Sequence, residues 1–176
     1  MPSRHVVRPA KHDDAAGIRA VARASWHAAY DDFLGPGTVE RMIERWYALE
    51  SLERAIRSPD QHLFVVDTSD GCQERLLTGF VHVGPWPDGP ATLGKCSRLY
   101  VHPGQWGEGI GTELLERGQA TLAQEGYHRV RLEVFEANER GQQFYRGRGY
   151  TVSGTETERL DGTNRRLLLM EAPLRQ

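Results

Sequence analysis

Leu99-Tyr100-Val101-His102-Pro103 is followed by Gln105-Trp106-Gly107-Glu108-Gly109-Ile110-Gly111-Thr112-Glu113-Leu114-Leu115, and this junction decides how the chain folds and what it binds. An apolar strand feeds a glycine-rich bend, and an amphipathic helix begins inside that bend. The first N–H groups of a helix have no partner within it, so together with the helix dipole they form a natural anion site. Gly107, Gly109 and Gly111 lack the Cβ that would hold a bulky ligand away from the backbone. A pyrophosphate fits such a bend.

Spacing separates the phosphate-binding designs that share this logic. The order is G-x-G-x-G, with Thr112 where a dinucleotide fingerprint requires its third glycine. The Gly-Lys-Ser/Thr ending of a P-loop is also missing, and with it the lysine and hydroxyl that hold terminal phosphates and magnesium.

The strand ending in Val101-His102-Pro103 and the bend Gly107-Glu108-Gly109-Ile110-Gly111 resemble the acetyl-coenzyme A loop of the GNAT superfamily of N-acetyltransferases. Trp106 stands where that family's pattern carries glutamine or arginine, and Gln105 lies one residue early. A second stretch, Asn138-Glu139-Arg140-Gly141-Gln142-Gln143-Phe144-Tyr145-Arg146-Gly147-Arg148-Gly149-Tyr150, resembles the family's other signature: an asparagine, a helix with a late tyrosine, then glycine and an aromatic. The two matches occur in the family's order.

The resemblance implies acetyl-coenzyme A as cosubstrate and an acetyltransferase acting on a primary amine of a small molecule or peptide by direct attack in a ternary complex. Cofactor contacts are expected from Leu99, Tyr100 and Val101, from Trp106, Gly107, Glu108, Gly109, Ile110, Gly111 and Thr112, and from Asn138 and Tyr145. In the bend, the backbone amides of residues 106–112 are the expected pyrophosphate donors. Asn138 is a favoured helix N-cap in its own right, and the resemblance adds a place beside the pantetheine arm. Tyr145 is implied as the acid that protonates the departing thiolate, a role suited to a phenol of pKa about 10. The Val101 N–H is implied as the oxyanion donor, where the family's parallel strands diverge.

An alkylamine with a pKa near 10.4 is mostly protonated at neutral pH and must lose a proton before it attacks. Glu133, between core-facing Leu132 and Val134, is the candidate acceptor, with Tyr100, His102 and His82 as rivals. No Ser, Cys and His arrangement supports a covalent nucleophile. The histidines lack metal-ligand spacing, so no metal is expected.

The 176 residues suit one domain, 1–176, and 22 basic against 24 acidic side chains leave no field to recruit nucleic acid or an anionic membrane. Cys72 and Cys96 form no disulfide framework, no apolar run is long enough to span a bilayer, and Met1 to Pro9 lacks a signal peptide's apolar centre. A cytoplasmic location is the expectation.

Periodicity predicts a first strand at Val6–Pro9, then a helix capped by Asp13 or Asp14 with Ile18, Val21, Ala22, Ser25, Trp26 and Ala29 on one face. A second helical region carries Val39, Met42, Ile43, Trp46 and Leu49 and ends before Pro59. Strands over 63–66 and 76–84 form a hairpin around Asp70-Gly71, and further strands are expected over 92–102, 130–135, from Tyr150, and over 165–171. The fold class is α/β: a mixed, mostly antiparallel sheet with helices on both faces, a three-layer αβα sandwich of GNAT type. Asp31, Asp32, Glu156 and Glu158 are candidates to attract a cationic acceptor, in a groove expected between about Trp26–Leu49 and Thr155–Arg165. The apolar last strand would let a second copy pair with it as a homodimer. Two other readings remain: an acyl-coenzyme A sensor without turnover, and an acyltransferase using a different acyl donor.

Overall fold

The computed structural model describes residues 5–68 and 76–175. In chain order the elements are β1 (Val6–Pro9), α1 (Ala15–Leu34), α2 (Pro36–Trp46), α3 (Leu49–Arg57), β2 (His62–Thr68), β3 (Leu76–Pro85), β4 (Leu93–Val101), α4 (Ile110–Gln124), β5 (Arg129–Phe135), α5 (Glu139–Arg146), β6 (Thr151–Leu160) and β7 (Thr163–Pro173). The seven strands form one sheet in the order β1-β2-β3-β4-β5-β7-β6. Every neighbouring pair is antiparallel except β4 and β5.

Alternation along the strands sends side chains to two cores. Ile18, Trp26, Ile43 and Leu52 of α1–α3 pack on Val65 and Phe80 on one face. Ile110, Leu114 and Leu122 of α4 pack on Val66, Val81 and Val130 on the other, where Phe144 and Tyr145 of α5 also lie. These are the three expected layers. The turn at Asp70-Gly71 and Cys72 lie outside the described residues, but β2 and β3 pair as the expected hairpin.

Four local expectations change. Asp14 stands at the α1 N-cap without capping it; a short 3-10 turn over His12–Asp14 precedes the helix, and the carboxylate is taken by Arg8 at 2.7 Å. The second helical region breaks at Tyr47, with no glycine or proline to mark it, because that ring turns into the core and its hydroxyl accepts from Trp26 Nε1 at 3.3 Å. Ala29 is exposed since it faces a cavity, and Tyr30 is buried instead. The apolar last strand β7 is paired on both sides, by β5 and β6, so it offers no open edge to a second copy.

The feature that positions the site is a divergence. β4 and β5 pair over Leu93↔Arg129, Gly94↔Val130 and Lys95↔Arg131 and then separate. Directly beyond, Cys96 pairs with Val83 and Arg98 with His82, so Ser97 is an extra residue in β4. A bulge of this kind bends its strand and increases local twist, which carries β4 away from β5.

Candidate active site

A cavity of about 870 Å³ runs through the opening between β4 and β5. One end lies against the bend before α4, and the other against Trp26, Trp46 and Tyr47 under α1 and α2.

At the bend, Gly107 and Gly109 have φ of 84° and 85°, a region that side chains with a Cβ rarely adopt, and open space lies where their Cβ atoms would stand. Among the described residues, the N–H groups of residues 107–112 have no protein acceptor; the Glu113 N–H is the first to bond within α4, to Gly109 O at 3.1 Å. Trp106 differs from the expectation, because its N–H donates to Pro103 O at 3.2 Å and is not free for an anion. Its indole instead reaches the Val101 carbonyl, and Arg140 lies 4.1 Å above the ring. Glu108 does not line the cavity; its carboxylate points away, 3.7 Å from His5. Arg148 closes the other side, bonding Thr112 Oγ1 and stacking 3.7 Å from the Phe144 ring.

The His102 N–H donates to Thr78 O on β3 at 2.7 Å. Because backbone direction alternates along a strand, the N–H and C=O of Val101 and Leu99 face the opposite edge. That edge meets the gap left by β5, so the Val101 N–H opens into the cavity.

Asn138 caps α5 by accepting from the Gly141 N–H at 3.0 Å, while its Nδ2 donates to the Tyr30 hydroxyl at 3.3 Å. Tyr145 follows two turns later and lines the cavity, with ring contacts to Phe144 and Tyr150. Burial, with Cys96 and Tyr100 nearby, raises its pKa well above that of a free phenol. It therefore stays protonated at neutral pH and is available as a donor.

Glu133 also lines the cavity and accepts from Lys95 Nζ at 3.1 Å. Among its rivals, Tyr100 is packed near Trp26, Tyr47 and Phe80, where burial raises its pKa so far that no phenolate base forms near neutrality. His102 Nδ1 accepts from the Gly104 N–H at 3.1 Å, outside the cavity lining. His82 does line it, but burial and the neighbouring Arg98 and Lys95 push its pKa down to about 3, leaving a weak base.

The acetyltransferase (GNAT) family profile matches residues 25–150, which include both the bend and α5. The chain belongs to the GNAT acetyltransferase family. An uncharacterized N-acetyltransferase of Mycobacterium tuberculosis is 42% identical over 66 residues, 38% of this chain; the matched region spans 42% of that relative. A spermidine N(1)-acetyltransferase of Thermoplasma acidophilum is 25% identical over 150 residues, covering 85% of this chain and 90% of its own. The crystal structure of PaiA N-acetyltransferase from the same organism, in complex with coenzyme A, superimposes with a TM-score of 0.79 at 26% identity over 97% of this chain and 99% of that one.

Within this GNAT chain the cavity gathers most of the expected residues: Leu99, Tyr100, Val101, Trp106, Gly107, Gly109, Ile110, Gly111, Thr112, Glu133, Asn138 and Tyr145. Of the acidic candidates for the acceptor end, only Glu158 lines it; Asp31 is held by His27 at 2.7 Å. Lys95, Arg98 and Arg140 were not anticipated. Arg98 alternates with core-facing Leu99 on β4, which signals its face but not what lies opposite. Among the described residues, no group of His, Cys, Asp or Glu is arranged to hold a metal, and no helix is long and apolar enough to cross a membrane.

Proposed function

We propose that this GNAT protein transfers an acetyl group from acetyl-coenzyme A to a primary amine of a small molecule or peptide, with both substrates bound together. The observation that carries this is the continuous cavity, which joins the amide-lined bend to the aromatic chamber through the opening at Val101.

The residues present fit the cosubstrate. Free amides from Gly107 to Thr112 and the Arg148 guanidinium suit a pyrophosphate, and the positive φ of Gly107 and Gly109 holds the backbone in the cradle that presents them. Glu133 takes a proton from the ammonium of the acceptor, directly or through water, and frees the nitrogen lone pair for attack on the thioester carbonyl carbon. The Val101 N–H faces the oxygen on which negative charge develops. As the C–N bond forms, the nitrogen releases its surplus proton to solvent; as the C–S bond breaks, the Tyr145 hydroxyl hydrogen-bonds the departing thiolate and supplies its proton, and solvent then reprotonates the phenolate.

The test mixes the full chain with acetyl-coenzyme A and a panel of amines and follows release of free thiol. Amine-dependent release with a matching N-acetylated product is expected. Tight binding without turnover would leave an acyl-coenzyme A sensor, and absence of binding would end the assignment.

A further inference from the structure

The acceptor half of the cavity has a polar floor on the α1 face of the sheet. His82 of β3 and Arg98 of β4 are cross-strand partners, and Lys95 of β4 is matched by Glu133 of β5. Arg98 has no such match. Its guanidinium lies 4.6 Å from the centre of the Tyr47 ring and donates Nη2 to the Trp46 carbonyl at 2.6 Å. Among the described residues, Nε and Nη1 have no hydrogen-bond partner and no carboxylate pairs with the charge.

His82 adds a second vacancy of hydrogen bonding. It is 8% exposed and lines the cavity, and its Nε2–H donates to Gln61 Oε1 at 2.7 Å. That leaves Nδ1 as a buried acceptor with no partner. A buried imidazole nitrogen left unpaired is unfavourable, and a half-buried guanidinium without a counter-ion has N–H groups to offer an anion, so a ligand that supplies an anion to one and a donor to the other is favoured there.

We infer that the acceptor is an amine that also carries a carboxylate, an amino acid or a molecule built like one, whose carboxylate is held by Arg98 while its amine faces Glu133. This rests on the acetyltransferase reading and names the substrate class for the same cavity. Arginine presents a planar fork that matches a carboxylate, and its remaining N–H groups stay free for that contact. Arg98 and Glu133 stand on neighbouring strands and on the same face, so a compact zwitterion can reach both. The Trp46 and Tyr47 rings supply apolar wall for its side chain. A polycation such as spermidine would meet Arg98 with like charge and find Glu158 as the one lining carboxylate not engaged by a lysine.

The experiment compares thiol release by the full chain with the common L-amino acids, their methyl esters and spermidine. Esterification removes the charge and raises the fraction of reactive neutral amine, so intrinsic reactivity favours the ester. The inference expects at least one free acid to exceed its ester by about tenfold or more in kcat/KM, chiefly through KM. Arg98→Gln brings the acid-to-ester ratio toward one, and Arg98→Lys restores part of it. Esters or spermidine used as well as every free acid, or a ratio unchanged in a folded Arg98→Gln protein, would overturn it. Should that variant not fold, the ester comparison on the unsubstituted protein decides alone. Thiol release confined to carboxylate-free amines sinks this inference and spares the acetyltransferase reading, whereas no release with any amine sinks both.

Discussion

The indole Nε1–H of Trp106 donates to the carbonyl oxygen of Val101 at 2.7 Å. It ties the glycine bend to the last residue of β4, and so fixes the proposed anion cradle relative to the Val101 N–H, the proposed oxyanion donor. Trp106→Phe keeps a ring beneath Arg140 but loses the bond. A net hydrogen bond is worth about 1 kcal/mol, so coenzyme A should bind about fivefold more weakly by titration calorimetry. Unchanged affinity would remove the tie.

Gly109 is the N-cap of α4 and sits in the left-handed region at φ 85°. A β-branched side chain there is strained by about 1–2 kcal/mol. For a chain of this size that corresponds to a fall in Tm of about 2–8 °C. Gly109→Val should show this fall and lose coenzyme A binding, because relief of the strain rotates the free amides out of register. A variant that melted lower yet bound the nucleotide normally would refute the cradle.

Tyr145→Phe removes the hydroxyl and leaves the ring packing against Phe144 and Tyr150. Loss of a positioned general acid lowers turnover by about 10²-fold or more. Steady-state kinetics should show this in kcat, with the KM for acetyl-coenzyme A little changed. Full turnover would assign thiolate protonation to solvent.

His27 joins α1 to α2, with Nδ1 2.7 Å from Asp31 and Nε2 2.6 Å from Glu40, which Arg23 also approaches at 3.2 Å. The Glu40 hydrogen bond, then Asp31, raise the His27 pKa above its ordinary 6.5, and His27 in turn lowers that of Glu40. A raised histidine stabilises the folded state fully below the unfolded pKa of about 6.5 and loses that contribution as pH climbs through the folded value. Glu40, with its lowered pKa, contributes above the unfolded carboxylate value and loses it on acidification. The Tm gap between the unsubstituted protein and His27→Gln should therefore be widest near pH 6 and shrink as pH rises above it. A gap that grew with pH would contradict the pairing.

The bend, the α5 signature and the mixed sheet were legible because each rests on local chemistry. Gly107 and Gly109 announce their backbone angles, Asn138 announces a helix start, and alternation along β2–β5 announces two buried faces. Other features carry no such mark. The break at Tyr47 follows from where its ring is buried, and the spent N–H of Trp106 follows from a short turn over Pro103–Gln105. Asp14 looked like a cap until Arg8 claimed it.

The chain's order of residues determined its family, its layered architecture and the glycine bend at the mouth of α4, since those depend on periods of two and 3.6 residues and on glycine's freedom. The tertiary structure decided which charges line the cavity. Arg98 lies opposite His82 because a bulge at Ser97 sets that register, and Lys95, in register with Arg131, reaches Glu133 two residues further along β5 where the strands part; pairing across strands is a property of the assembled sheet that no single segment encodes.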